Sequence, residues 1–175
     1  GIPLEEREFK TKPELALEIV QHQLKQGISF DYVGADGLYG NDTVFARGID
    51  DLGLVYMLDI HSTQQVFLDK PELYLPERKS SKGRTPTKLK ADMSSIAVKD
   101  YIETLNKDDW ELLKIRHSAK GMLKGSFHFA KVYIWDKNIN SIEQRLLVIS
   151  KRQTKKGEEI KYSFTNASLV QYTEK

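Results

Sequence analysis

The sequence predicts an α/β fold in which an opening section alternates helices with parallel strands and the remainder is mainly antiparallel β. Three observations carry this reading. Apolar residues recur at helical spacing, interrupted by short strand-like runs, up to Ile60. That period is lost between residues 69 and 91, where Pro71, Pro76, Gly83 and Pro86 fall. Beyond Trp110, strand-like runs are separated by turn residues.

Thr11-Lys12-Pro13-Glu14 opens the first helix, combining an N-cap, a proline in the first turn and a glutamate three residues after the cap. Leu15, Ile19, Val20 and Leu24 follow at helical spacing, and Gly27 supplies the stop. Phe30-Asp31-Tyr32-Val33-Gly34-Ala35-Asp36 reads as a short strand ending in an acid, with Gly37 and Gly40 marking the turn after it. Asn41 or Asp42 can cap a second helix that carries Val44, Phe45, Ile49 and Leu52 on one face and closes at Gly53. Leu54-Val55-Tyr56-Met57-Leu58 is nearly continuous in apolar residues, as expected of a strand buried on both faces. Strand, helix and strand with short links imply a right-handed parallel crossover.

Residues 69–91 read as a long basic loop. A short helix is expected from about Ser94 to Leu105, capped by Ser94 or Ser95. Strands are expected at Trp110–Arg116, Ser126–Trp135, Arg145–Lys151 and Ile160–Phe164. Gly121, Asn138-Ile139-Asn140 and Lys155-Lys156-Gly157 separate them, the last two as hairpin-like turns. No internal repeat is visible.

Composition bounds the function. Apolar residues make up 39% and charged residues 30%, as in ordinary globular proteins with a core. No apolar run approaches membrane-span length and no signal-peptide pattern opens the chain, so a cytoplasmic protein without membrane contact is expected. The absence of cysteine excludes disulfides, thiolate metal sites and a cysteine nucleophile. The first residue is Gly1, which suggests a processed chain or a piece of a longer one. Net charge is only +2, but residues 1–60 hold five Lys/Arg against eleven Asp/Glu, and the rest holds 22 against 14. A basic half of this kind suits a polyanionic partner, and a solvated lysine-rich surface is the plainer explanation.

Candidate chemistry is sparse. His22, His61, His117 and His128 lack metal-ligand spacing, and no phosphate loop or nucleophile elbow is present. Asp36 ends a strand expected to be parallel, where α/β folds place ligands and catalytic groups, and a carboxylate there can bind a hard divalent cation. An aspartate before a glycine turn more often bonds only the turn backbone, the reading kept for Asp31 and Asp59. Arg78, Lys79, Lys82, Arg84, Lys88 and Lys90 form the densest positive run, with no acid between residues 78 and 90. Phosphate neutralisation requires only such clustered cations. Arg116, Lys120 and Lys124 flank a turn and form a second cluster. Trp110 and Trp135, the two indoles, read as packed strand residues.

Four segments, in order, carry a resemblance. Glu8-Phe9-Lys10-Thr11-Lys12-Pro13-Glu14-Leu15-Ala16 and Gly34-Ala35-Asp36-Gly37-Leu38-Tyr39-Gly40 are similar to the approach to, and the Asp-x-x-Tyr-Gly signature around, the second catalytic aspartate of a DDE-type bacterial insertion-sequence transposase family. Arg116-His117-Ser118-Ala119-Lys120-Gly121 resembles that family's Arg-x-x-x-Lys-Gly segment. Lys161-Tyr162-Ser163-Phe164-Thr165-Asn166-Ala167 resembles its Tyr-x-x-Ser-Asn-Ala strand, with Thr165 in place of the usual serine.

The resemblance implies a partial ribonuclease-H-like core over residues 1–61 and a β-rich insertion over 62–167 that contains the basic loop 69–91. Residues 168–175 would begin the return to the core. It implies three acids holding two Mg²⁺ (or Mn²⁺) ions for cleavage and strand transfer at transposon ends. Asp36 matches the second acid; the first would lie upstream of Gly1 and the third downstream of Lys175, so the isolated chain is expected to be inactive and to bind metal only with those acids present. The partner implied is double-stranded DNA at transposon ends and target, in a bacterial cytoplasm, with a homodimer as one assembly it allows. The alternatives are a non-enzymatic nucleic-acid-binding α/β module and a metal-dependent nuclease without strand transfer.

Overall fold

The computed structural model describes residues 9–78, 85–118, 121–155 and 157–167. The fold is mixed α/β and forms two compact units, Gly1–Ile60 with Ser163–Lys175, and His61–Tyr162.

The first unit opens with α1 (Lys12–Lys25). Its capping box is made as the sequence dictates: Glu14 N donates to Thr11 Oγ1, and Thr11 N donates to the Glu14 carboxylate at 2.6 Å. Those bonds to Thr11, its backbone N–H foremost, hold the Glu14 carboxyl below its ordinary pKa. Gly27, at φ 78°, ends the helix in the left-handed region. The apolar stripe read from the sequence is not buried here, since Ile19 is 61% exposed and Leu15 is exposed too. α1 packs against α3 at Leu17, whose Cδ2 lies 2.4 Å from where a Cβ on Gly48 would stand.

β1 (Tyr32–Ala35), the one-turn helix α2 (Gly37–Gly40), α3 (Thr43–Asp51) and β2 (Val55–Asp59) follow. Asp42, rather than Asn41, caps α3 through Phe45 N at 2.9 Å. α3 buries Phe45, Ala46 and Ile49; Ala46 takes the place expected for Val44, which is half exposed. β1 and β2 are parallel, with Ala35 opposite Leu58. β2 departs from the expected two-faced burial. Tyr56 and Leu58 are fully buried while Met57 is 45% exposed, because among the described residues the helices contacting β2, α2 and α3, cover one face.

In the second unit the basic stretch is not all loop. β3 (Gln65–Val66), β4 (Leu73–Tyr74), β5 (Lys90–Ala91) and β6 (Ile96–Ala97) form the short antiparallel pairs β3–β6 and β4–β5. Pairing of Ile96 and Ala97 with β3 delays the helix expected from Ser94. It is reduced to α4 (Val98–Tyr101) and a 3-10 turn, with Ala97 at the cap and the Ser95 hydroxyl spent on Gln65.

β7 (Glu111–Ser118), β8 (Gly121–Asp136) and β9 (Ser141–Thr154) then form an antiparallel meander, as the turn chemistry predicts. Asn140, at φ 50°, completes the β8–β9 turn, and the buried Asp136 accepts from Asn138 N at 2.8 Å. Val66, Val98, Val132, Leu147 and Ile149 make the core of this unit. β10 (Gly157–Thr165) leaves this unit at Tyr162, and its residues Ser163–Thr165 pair antiparallel with Asp59–Met57 of β2 within the first unit.

Candidate active site

Asp36 is the first residue after β1 and Asp59 the last of β2; each follows a member of the pair Ala35↔Leu58, so both acids stand at the carboxyl end of their strands. The Asp36 backbone is extended, at φ −79° and ψ −179°, as an N-cap requires. Asp36 Oδ1 accepts from Leu38 N at 3.0 Å, and its carbonyl accepts from Tyr39 N and Gly40 N, both at 3.0 Å. The residue therefore performs the turn-bonding role expected of an aspartate before glycine. It is also exposed, and the contact with Leu38 N is the side chain's one hydrogen bond among the described residues. That leaves carboxylate oxygen accessible at the strand end.

The signature around Asp36 has a steric basis. A Cβ on Gly40 would stand 1.9 Å from the Asp59 carbonyl oxygen, so only glycine lets α2 seat against the end of β2. Tyr39 packs its ring on Phe45 of α3 at 5.4 Å between centroids. Asp59 is the last residue of β2, and its Oδ1 accepts from the Ser163 hydroxyl at 2.7 Å.

The strand that returns at Ser163 fastens β2 by side chains as well as by its ladder. Thr165 Oγ1 donates to Tyr56 O, and Asn166 Oδ1 accepts from Tyr56 N at 2.9 Å. Asn166 Nδ2 donates to Leu54 O at 2.9 Å and to Asp50 Oδ1 of α3 at 2.6 Å. Ser163, Thr165 and Asn166 of that segment thus act on the strand whose end neighbours Asp36. No signal in the sequence reveals these contacts, which join residues more than 100 positions apart.

As a metal ligand, Asp36 offers the right donor, an exposed hard oxygen, but not the right number. Among the described residues no three His, Asp or Glu side chains are grouped to hold a metal ion.

The candidate DNA residues are placed in two groups. Arg78, Lys88 and Lys90 are exposed, Lys90 in β5, while Lys79, Lys82 and Arg84 lie outside the described residues. In the β7–β8 hairpin, Lys124 stands opposite Lys114, and Arg116 stands opposite Leu123. The register shift between Lys114 and Arg116, together with strand alternation, puts Arg116 and Lys124 on opposite faces. Lys120 lies outside the described residues. Trp110 is half-buried against His128, as packing predicts, and carries Lys151 Nζ 4.1 Å from its ring centroid. Trp135 is also half-buried, with Lys137 Nζ 5.6 Å from its ring.

Residues 1–122 match the family described as DDE superfamily endonuclease. The match takes in Asp36 and the Arg116–Gly121 segment and ends before the Lys161–Ala167 strand. No curated protein matches the chain.

Proposed function

Since this chain belongs to the DDE superfamily of endonucleases, we propose that it is the part of a DNA transposase that supplies the second catalytic acid, Asp36. Enzymes of this superfamily act on DNA and use divalent metal ions. The observation that carries the reading is the placement of Asp36: an exposed carboxylate at the carboxyl end of a parallel strand, inside the family match. Residues 1–61 are then part of a ribonuclease-H-like core, and residues 62–167 an insertion within it. The chain leaves the first compact unit at Ile60, which supports the start of the insertion, and re-enters it at Ser163, inside the proposed end.

The chemistry proposed for the complete protein is phosphodiester cleavage at transposon ends followed by joining to target DNA, with Mg²⁺ or Mn²⁺ polarising the reacting oxygens. Asp36 contributes one carboxylate to that metal site, and the turn 36–40 holds it with one oxygen fixed by Leu38 N. A single acid does not hold two metals about 4 Å apart, so the isolated 175-residue chain is inactive. The basic segment 78–90, with Arg116, Lys120 and Lys124, supplies phosphate contacts to duplex DNA. Among the described residues no helix is long and apolar enough to cross a membrane.

The test is a joining assay. Full-length protein, labelled transposon-end DNA, a target plasmid and Mg²⁺ should give both cleaved ends and joined products, and the isolated chain neither. Cleavage without joining would move the protein to the nuclease reading. Nicking by the isolated chain would contradict the one-acid argument.

A further inference from the structure

The hairpin β7–β8 places two lysines directly opposite one another, Lys114 and Lys124, with both side chains on one face of the sheet. Like charges so placed repel, and each exposed lysine lacks an acidic partner among the described residues. The same face continues through Ser126, which stands opposite Leu112 on β7 and Lys151 on β9. Lys151 is held with its ammonium 4.1 Å from the centroid of Trp110, a contact that fixes the side chain and leaves the charge. Asp109, the acid next to Trp110, is engaged elsewhere, its Oδ2 accepting from Asn106 N at 2.6 Å.

The opposite face is different. There Arg152 lies beside Gly125 and is paired with Glu159 at 3.1 Å, while Glu111 stands opposite Phe127. Three lysines on one face thus lack acidic partners among the described residues, whereas Arg152 on the other is paired.

We propose that Lys114, Lys124 and Lys151 form a phosphate-binding face for the backbone of duplex DNA. This rests on the DNA-acting reading above and deepens it: Lys114 and Lys151 join Lys124 on one face of the sheet. A polyanion offsets the repulsion between the paired lysines. Lysine contacts to phosphate carry no sequence information, so all sequences should bind alike.

The experiment is fluorescence anisotropy of the 175-residue chain on a labelled duplex at several salt concentrations. Wild type should lose affinity steeply with salt, and Lys114→Gln/Lys124→Gln should flatten the log–log slope by roughly 1.8, at about 0.9 per phosphate contact. Lys114→Arg/Lys124→Arg should keep the slope, since the charges remain. The Gln pair should melt no lower than wild type, because it removes a repulsion. If wild type shows no salt-dependent binding, both this proposal and the DNA-binding role of the chain fail. If replacing Arg78, Lys79, Lys82 and Arg84 by Ala flattens the slope but the Gln pair does not, DNA binding stands and this face is overturned. A Gln pair that both binds and melts worse would assign the lysines to folding, against the proposal.

Discussion

In the unit His61–Tyr162, β8 and β9 are joined by the short turn 137–140 and pair continuously from Asp136↔Ser141 to Ser126↔Lys151. Its buried Val132, Leu147 and Ile149 come from these neighbouring strands, joined by one turn. The other unit closes differently. Its strand β2 is fastened by Ser163, Thr165 and Asn166, which lie 104 to 110 positions from the β2 residues they bond. It also leaves much of α1 in water, with no residue of that helix buried. The comparison teaches that the region carrying the candidate catalytic acid depends on a distant return of the chain, while the basic region contains its own local scaffold.

Substitutions should break that contrast in a defined order. Ile149→Ala, which empties a fully buried site in the meander, should cost about 3–4 kcal/mol in chemical denaturation. Ile19→Ala on α1 should cost less than about 0.5 kcal/mol, because the side chain is already 61% exposed. A large loss at Ile19 would show that α1 is covered in solution.

Gly40→Ala should destabilise by about 3 kcal/mol, since the added carbon meets backbone rather than a movable side chain. The heat-denaturation midpoint should fall correspondingly, by roughly 10 °C. Retention of the wild-type midpoint would mean that α2 does not sit against β2. Asn166→Ala comes next, at about 2 kcal/mol, because it strips an acceptor from Tyr56 N and a donor from Leu54 O and Asp50. Hydrogen exchange should then quicken at Tyr56 while Val132 and Ile149 keep their protection; uniform quickening would erase the distinction between the two units.

The smallest effect is at Glu14. Its folded pKa is depressed below 4.5 by the Thr11 bonds, so the contribution of its charge is present above the unfolded value and lost as pH falls through the folded one. Glu14→Gln should therefore narrow the stability difference between pH 6 and pH 3 slightly, measured by urea denaturation at the two pH values. A wider difference would contradict the sign.

The legible part of the molecule was the local part. Thr11, Pro13 and Glu14 announce α1, Gly27 and Gly53 sit at positive φ where helices stop, and Asn140 and Gly157 turn the hairpins. Asp36 was legible as an acid at the end of a parallel strand because the apolar runs on both sides of it alternate with a helix. The expected two-faced burial of β2 was not realised, since apolar composition alone does not say which face a helix covers. The helix from Ser94 lost its first turn to a strand pair with Gln65–Val66, a tertiary preference that propensity does not encode. The bonds of Asn166 are non-local, and the register shift that separates Arg116 from Lys124 is one residue wide. Neither leaves a periodic trace.

The central claim is that Asp36 is a metal-binding catalytic acid of a DDE endonuclease and not only a helix cap. The most direct measurement compares full-length wild type with Asp36→Asn for Mg²⁺-dependent cleavage of labelled end DNA, with end binding followed in parallel by mobility shift. Asparagine retains the oxygen that caps Leu38 N but removes the negative charge a hard cation requires. The account predicts cleavage lost by 10³-fold or more, on the order of 4 kcal/mol of transition-state stabilisation, with end binding unchanged. Wild-type cleavage by Asp36→Asn would reduce Asp36 to the turn residue its hydrogen bond already describes.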